Sequence, residues 1–323
     1  MRPNFIFQNK SSSKVQVISL GEYNKKYKKT PNMSRELSVI LNGTTRCQYH
    51  RFLLILIAVI LLNPYTNLAQ VQLPVGARAG AMAGAYVAHA NSADALWLNP
   101  AGLVRIPDIE LSFYYTKPYT LSDLHHGAFS LCLPFKLATA GIGVQSFGKT
   151  GYFNSSLALA LARTDENVFY YSITVLFHTL QISRYGSTAW LDFNIGCLLK
   201  LNHKLYVGLS IHNISNTKLG FLRSEKPSVD IGLSYHLENQ IQINLDIYKE
   251  NPFKIAKRFG VEITPFSVLT LRTGLAGNPD KMSAGCGILF KKFCIDYAVV
   301  NCGALGITHQ FSITFKTKQT VDR

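Results

Sequence analysis

The sequence lacks the long apolar run that a membrane-spanning helix requires. Its longest such run, residues 52–62, covers 11 residues and ends at Asn63 and Pro64, whereas a helix needs about 20 residues to cross a bilayer. No later stretch reaches the length needed to span a bilayer without containing a charged residue or a glycine. We therefore predict no spanning helix, and residues 52–62 instead have the layout of the apolar core of a secretory signal peptide.

Paired cysteines are also missing. None of the six cysteines has C-x-x-C spacing, the spacing that zinc sites and redox motifs use. Cys47 precedes the predicted cleavage point, which leaves an odd number of five. The pattern argues against a disulfide framework and favours cysteines that act as small apolar side chains.

Catalytic and metal-binding motifs are scarce. Gly208-Leu209-Ser210 lacks the second glycine of a G-x-S-x-G elbow. His203 and His236 are expected at one end of the strands and His212 and Asp230 at the other, so these groups do not converge on one site. His125 and His126 are expected in a turn beside Asp123, which is not a metal-binding pattern. We predict no enzyme, no cofactor and no metal site.

Charge is sparse and, in the mature chain, dispersed. The formal net charge is +15, and only 16% of the residues are charged. Residues 1–69 hold 10 Lys or Arg against 2 Asp or Glu, so more than half of the excess lies in a leader that is expected to be removed. The remaining basic residues form no run longer than a pair, and a nucleic-acid partner is not expected.

The first part of the chain predicts export. Residues 1–50 are polar and basic. They are interpreted as disordered, or as a leader whose start codon was assigned too far upstream, with Met33 as the better-placed start. Residues 51–69 have a positive flank, an apolar core and small residues before Gln70, which predicts a signal peptide cleaved after Ala69. The short stretch 71–75 could be an edge strand or a tether.

From Ile109 onward the chain alternates apolar and polar residues with a period of two. In the clearest strand, Ile241, Ile243 and Leu245 point one way, while Gln242 and Asn244 point the other. This pattern predicts about fourteen strands between residues 109 and 316, followed by a tail at 317–323. The predicted strands are 109–117, 126–134, 137–147, 156–163, 169–181, 189–199, 204–212, 228–237, 239–248, 256–264, 267–275, 282–290, 293–300 and 308–316.

The alternation favours an all-β transmembrane antiparallel barrel in the bacterial outer membrane, with lipid around it. A soluble sandwich is the alternative, but its solvated face would be rich in Lys and Glu, and here the polar rows are mostly small and uncharged. Aromatic residues near strand ends, Trp190 among them, are typical of interfacial girdles. An even strand number places both ends in the periplasm. The connections at 148–155, 182–188, 213–228 and 301–307 are then the long external loops.

Residues 76–103 precede the strands and have a different character. Gly76, Gly80 and Gly84 are spaced to share one helical face. Asn91 and Ser92 break the helix, residues 93–98 can form one or two turns, and residues 99–102 have turn chemistry. Such a compact segment of small residues is expected to sit inside a barrel.

This segment resembles the N-terminal signature of outer-membrane barrels related to the long-chain fatty-acid transporter, especially the PorV/PorQ proteins linked to type IX secretion. That signature runs roughly GARALGMGGAFVA, a spacer, and ALYWNPAGL, and it covers under a tenth of the chain. Departures include Gly80 for a leucine and Trp97-Leu98 for Tyr-Trp. The matching residues are Gly76, Ala77, Arg78, Ala79, Met82, Gly84, Ala85, Val87, Ala88, Ala95, Leu96, Asn99, Pro100, Ala101, Gly102 and Leu103.

The resemblance implies a barrel whose lumen holds residues 70–108 as a short helical plug. Arg78 and Asp94 would pair with lumen groups or face water. The residues implied to build the plug are Gly76, Arg78, Gly80, Gly84, Asp94, Trp97, Asn99, Pro100 and Gly102. The function it implies is an accessory for protein secretion or cargo anchoring, with secreted cargo or secretion components as partners. The alternative is a channel for hydrophobic small molecules.

Overall fold

The computed structural model shows a closed antiparallel barrel of fourteen strands, which confirms the predicted fold class. It describes residues 5–7, 16–18, 73–215, 218–219, 222–223, 226–237 and 240–317. The strands are β1 Glu110–Lys117, β2 His125–Pro134, β3 Thr139–Lys149, β4 Tyr152–Asp165, β5 Phe169–Ile182, β6 Gly186–Lys200, β7 Leu205–His212, β8 Ser228–His236, β9 Ile241–Glu250, β10 Ala256–Phe266, β11 Leu269–Ala276, β12 Lys281–Phe290, β13 Phe293–Asn301 and β14 Ile307–Lys316.

Every strand pairs with its neighbour in sequence, and β14 closes the barrel on β1. The connection between the paired strands β7 and β8 is the longest in the barrel. Within it, Lys218–Leu219 and Leu222–Arg223 form a small two-stranded sheet. The β10–β11 ladder shifts register between Ile263 and Phe266. Full closure leaves the wall without a free sheet edge of the kind that is costly in hydrocarbon.

The two faces of the wall differ as the period-two pattern predicts. On β4, Leu157, Leu159 and Leu161 point outward and are 39%, 50% and 60% exposed, while Ala158 and Ala160 point inward and are buried. The same outward row continues around the barrel with Ile, Val and Phe side chains. An outward apolar band with a polar, occupied interior is the arrangement of outer-membrane barrels.

Two loop predictions were wrong. Residues 150–151 form a tight turn between β3 and β4, and residues 183–185 one between β5 and β6, where longer loops were expected. Strands β4, β5 and β6 are 14 or 15 residues long and continue into those predicted loops. His125 and His126 lie in β2 rather than in a turn, so they point to opposite faces.

Residues 73–106 lie inside the barrel, where they occupy part of the lumen, and are called the plug below. The plug contains the helix α1, Ala77–Ala81, the single turn α2, Ala95–Leu98, and the 3-10 helix Pro100–Arg105. The prediction that three glycines share a helical face was wrong, because Gly76 precedes α1 and Gly84 follows it. Both have positive φ angles, 98° and 85°, so the backbone turns at each glycine instead of continuing a helix.

The remaining described segments are few. Phe5–Phe7 and Gln16–Ile18 pair as an antiparallel hairpin within the first 58 residues, which form a separate unit. The predicted signal peptide at 51–69 lies outside the described residues. Within the described ranges, no helix is long and apolar enough to cross a bilayer. All five cysteines beyond residue 73 are free thiols.

Candidate functional site

The start of the plug is fixed to the wall through backbone hydrogen bonds. The Ala77 amide donates to Ser312 Oγ at 2.8 Å, and Ser283 Oγ donates to the Ala81 carbonyl at 2.8 Å. A Cβ on Gly80 would lie 1.7 Å from Gln310 Oε1. Gly80 therefore allows α1 to lie directly against β14.

Arg78 links the plug to three wall strands through a buried ionic chain. Its guanidinium donates to both carboxylate oxygens of Glu262, at 2.8 and 2.7 Å. Arg272 donates to the same Glu262 at 2.6 Å and to Asp296 at 2.5 Å. Arg78 also donates to Asn91 within the plug at 2.8 Å. The bidentate geometry gives both charge compensation and a fixed orientation.

His89 lies beside this chain and is held as a neutral ring. It contacts Arg78 at 2.6 Å and hydrogen-bonds Gln242. Burial, and then the positive charge of Arg78, lower the pKa of His89 from 6.5 to about 3. A second cation in this confined space would repel Arg78, so neutrality is part of the packing.

The middle of the plug is fixed by Asp246, which accepts hydrogen bonds from two backbone amides. Tyr86 N and Val87 N lie 2.7 and 2.9 Å from its Oδ2. These amides would otherwise be buried donors, because the plug forms no regular helix at this point. The period of two puts Asp246 on the same face as Gln242 and Asn244, but the sequence does not identify the amides that it binds.

Asp94 and Trp97 join the plug to β1 and β2. Trp97 Nε1 donates to Ser130 Oγ at 2.9 Å, and Ser130 Oγ donates to Asp94 Oδ1 at 3.3 Å. Glu110 accepts from the Ala93 amide at 2.7 Å. Burial raises the pKa of the Asp94 carboxyl from 3.8 to about 7, and the charge of Glu110 adds to the rise.

The Asn-Pro-Ala-Gly segment closes the plug. Asn99 Nδ2 donates to the carbonyls of Val87 and Cys197, at 2.9 and 3.2 Å, and its Oδ1 accepts from the Ala101 amide at 3.3 Å. Pro100 occupies the first turn of the 3-10 helix, where its missing N–H costs nothing. A Cβ on Gly102 would lie 2.3 Å from the Ala90 carbonyl oxygen. Each motif residue is thus explained by contacts inside the barrel.

A belt of glycines on the inner wall makes room for the plug. A Cβ on Gly208 would lie 2.7 Å from the Val87 carbonyl oxygen, and one on Gly274 would lie 2.2 Å from the Met82 carbonyl carbon. Side chains at these positions would force the backbones apart. The belt, defined by its close approach to the plug, consists of Gly141, Gly143, Gly196, Gly208, Gly232, Gly260, Gly274 and Gly285.

A chamber of about 530 Å³ lies in the lumen. It is on the side of the plug away from the barrel end at which β1 begins and β14 ends. Its floor is built by residues 73–75, the Ala83–Gly84 turn, and Trp97 with Leu98. Its mouth is bordered by the connections after β1 and β7, represented by Tyr119 and Asn213. The chamber is a ligand-sized space lined by described residues.

The chamber wall has two different halves. On the β8–β12 half, Arg258 donates to Asp230 at 3.1 Å, donates to the Gly84 carbonyl at 3.3 Å, and lies 4.3 Å from the Tyr248 ring centre. The β2–β6 half has no Lys, Arg, Asp or Glu among its lining residues. Those residues are His126, Gln145, Phe147, Tyr152, Asn154, Ser156, Leu176, His178, Leu180, Trp190 and Asn194.

Trp190 was assigned to the outer girdle from sequence, and that assignment was wrong. Its ring points into the lumen and is 7% exposed. The ring stacks on His178 with centroids 5.0 Å apart, and Ser156 Oγ lies 2.7 Å from His178 Nδ1. The girdle was inferred from position near a strand end, which does not distinguish the two faces of a strand.

The fold matches known barrels in the solved structures. The toluene transporter TbuX of Ralstonia pickettii superposes with a TM-score of 0.60 at 11% identity, over 76% of this chain and 99% of that chain. The CymD monoaromatic hydrocarbon channel gives 0.58 at 13% identity, over 77% and 100%. A Pseudomonas aeruginosa FadL homologue gives 0.55 at 11% identity, over 79% and 99%.

The chain has the fold of these channels. Identities of 11 to 13% establish shared architecture and do not transfer a ligand. No protein-family model matches the chain, and no curated protein matches it in sequence. The three structures are named as a transporter, a channel and a FadL homologue, and none is named as an enzyme or a secretion component. They give no support to the narrower PorV/PorQ assignment.

Among the described residues, no group of three or more His, Cys, Asp or Glu side chains is arranged to hold a metal ion. The groups that sequence reasoning missed are Glu262, Arg272 and Asp296 in the ionic chain and Arg258 at the chamber. Their signal was present, since a charged residue in the middle of a barrel strand is expected to face the lumen.

Proposed function

We propose that this protein is an outer-membrane channel for hydrophobic small molecules. The observation that carries the proposal is the chamber, a ligand-sized space within the barrel, open at one end and floored by the plug. The shared fold with hydrocarbon channels supports it. The outward apolar band and the predicted signal peptide support a location in the bacterial outer membrane.

In this proposal the chamber takes up the molecule and the plug controls its onward passage. The strand ladders run without interruption through the chamber half of β3 to β5, so entry there is through the mouth rather than through the wall. The plug fills the other half of the lumen with buried side chains such as Met82 and Tyr86. Passage then requires the floor to shift, and the Ala83–Gly84 turn, which accepts a hydrogen bond from Arg258, is one of the parts of the floor in direct contact with the chamber.

The test is uptake by intact bacterial cells whose own channels of this fold have been deleted. Cells that express the barrel should take up labelled toluene faster than cells that carry the empty vector. Cells expressing an unrelated barrel of similar abundance control for damage to the membrane. Equal rates with and without this protein would overturn the proposal.

The secretion role implied by the motif stays a prediction. None of the three structures named above is named as a secretion component, and Arg78 and Asn99 of the motif are occupied in holding the plug inside the barrel. It would be tested by purifying the barrel from its own cells after gentle cross-linking. Recovery of a secreted protein or a secretion component in stoichiometric amount would support it, and recovery of the barrel alone would count against it.

A further inference from the structure

Three basic side chains on adjacent strands form a row on the outer surface of the barrel, called the basic row below. Lys117 ends β1, and His309 of β14 is its direct partner across the two strands. The β1–β2 ladder pairs Thr116 with His126, so His125 lies beside Lys117 on the other side. All three side chains of the row are exposed. Because residues directly opposite across strands have Cβ atoms about 4.5–5.5 Å apart, neighbouring members can reach the same anion.

A tyrosine on the neighbouring strand holds each histidine of the row. Tyr115 Oη lies 2.8 Å from His125 Nδ1, and Tyr297 Oη lies 2.7 Å from His309 Nδ1. The rings of Tyr297 and His309 also stack, with centroids 6.1 Å apart. These contacts use Nδ1 and leave Nε2 of each ring to an external acceptor. When the phenol donates to Nδ1, or when the ring is protonated, Nε2 carries a hydrogen that it can donate.

No acidic side chain compensates the basic row. Within the part of the chain that the structure describes, Lys117, His125 and His309 form no ion pair with Asp or Glu. The acid nearest to His125 in the sequence is Asp123, which accepts from Ser122 Oγ at 3.1 Å. Like charges directly opposite across strands are destabilising. An anion bound across the row would therefore relieve a repulsion within the wall.

The basic row lies at the upper boundary of the outward apolar band. Below it, the outward side chains are Tyr115 and Phe113 on β1 and Phe311 and Ile313 on β14, which are between 45% and 57% exposed. The row is at the barrel end away from the start of β1 and the end of β14. That end faces the outside of the cell when both ends of the barrel chain are in the periplasm.

We infer that the basic row binds the phosphate of an anionic lipid of the outer leaflet, whose acyl chains cover the aromatic face of β1 and β14. The inference goes beyond the proposed channel function and rests only on the proposed outer-membrane location. Ammonium and imidazole N–H groups form strong charge-assisted hydrogen bonds to phosphate oxygens. A free phosphate would use the row alone, whereas a lipid also covers the apolar surface directly below it. The surface therefore favours a lipid.

The test measures lipid binding to the purified barrel by native mass spectrometry. One probe is lipid A that carries one phosphate, and the other is the same lipid without the phosphate, so the acyl chains are identical. The wild type should bind the phosphorylated lipid at least about tenfold more tightly. Inorganic phosphate at an equal concentration should not displace it. Mobility of the unheated protein on denaturing gels checks that each variant is folded.

Loss of the row should remove this preference. In the combined variant Lys117→Gln, His125→Gln and His309→Gln, the two lipids should bind within about twofold of each other. Lys257→Gln is the matched control, because Lys257 is an exposed lysine at the same end of the barrel that lies opposite Ile247 instead of a histidine. It should keep the wild-type preference.

Equal binding of the two lipids by the wild type would overturn the inference. So would a preference that the combined variant retains, an equal loss in Lys257→Gln, or displacement of the lipid by inorganic phosphate. The channel is tested separately, since the combined variant leaves the chamber intact. Lipid binding without any uptake of toluene by cells would remove the proposed function and leave this inference standing.

Discussion

At the scale of single residues, Arg78 and Glu262 join the plug to the wall. Glu262 accepts hydrogen bonds from both Arg78 and Arg272. Arg272 also donates to Asp296, so each charge in the set lies beside a charge of opposite sign. The four side chains of this ionic chain are between 4% and 20% exposed. Removing one partner of such a buried set is costly, because it leaves another charge uncompensated.

We expect Glu262→Gln to loosen the plug. A neutral amide would then lie between the guanidinium groups of Arg78 and Arg272, and Asp296, which pairs with Arg272, would be the carboxylate left in the ionic chain, at a cost of about 3–5 kcal/mol. Hydrogen exchange of peptides covering residues 77–94, measured by mass spectrometry, should become faster while exchange in β4 to β6 stays unchanged. Lys291→Gln, in the turn after β12, is the control. Unchanged protection of the plug in the Glu262 variant would contradict this role.

Asp94 predicts a pH effect with a defined sign. Its folded-state pKa, about 7, lies above the ordinary 3.8, so the folded protein keeps a proton that the unfolded chain has lost. The stabilisation is complete below about pH 4 and is lost as the pH rises to about 7, by an amount on the order of a few kcal/mol. Asp94→Asn should match the wild type in thermal stability at pH 4 and exceed it at pH 8. A wild type as stable as the variant at pH 8 would refute the assignment.

At the scale of elements, the glycine belt adapts the wall to the plug. Met82 and Val87 approach the wall backbone so closely that no side chain fits between them and Gly274 or Gly208. The barrel strands therefore carry glycine where strand propensity alone would disfavour it. The plug and the wall are two parts of one packed structure.

Gly274→Ala should be destabilising and Gly127→Ala should not. The new Cβ at Gly274 would lie 2.2 Å from backbone of Met82, while at Gly127 the nearest atom is 3.7 Å away. Overpacking against backbone costs about 1–3 kcal/mol, whereas an ordinary contact changes stability by less than about 0.5 kcal/mol. Thermal unfolding followed by gel mobility compares the two. Similar melting of both variants would show that the plug does not lie against β11.

The strands were predictable from sequence and the plug conformation was not. Lipid outside and polar groups inside impose a strict period of two, as in Ile241 to Leu245, so local pattern sufficed. The plug follows the shape of the wall: the chain turns at Ala83 and Gly84, with φ angles of 53° and 85°, where helical spacing suggested a continuous face. The alternation of apolar and polar residues also predicts the face of the strand on which Glu262 lies. It does not predict that Glu262 pairs with Arg78, because the two residues are 184 positions apart in the chain.

At the scale of the whole molecule, a wide barrel is divided into a filled half and an open half. Fourteen strands enclose more space than wall side chains can fill. The plug occupies one part with buried polar and apolar contacts, and the chamber of about 530 Å³ occupies the other. The division explains why most motif residues are concerned with packing, while the chamber is lined mainly by wall side chains together with plug residues such as Gly84, Trp97 and Leu98.

In the proposed function, the chamber lies on the route of the transported molecule. The most direct measurement is toluene uptake by cells expressing Leu180→Trp, which adds bulk inside the chamber, or Val175→Trp. Val175 is on the same strand but points outward and is 36% exposed, so its variant adds the same side chain to the lipid face. We expect Leu180→Trp to slow uptake several-fold at equal surface expression and Val175→Trp to keep the wild-type rate. Equal uptake by both variants and the wild type would contradict it.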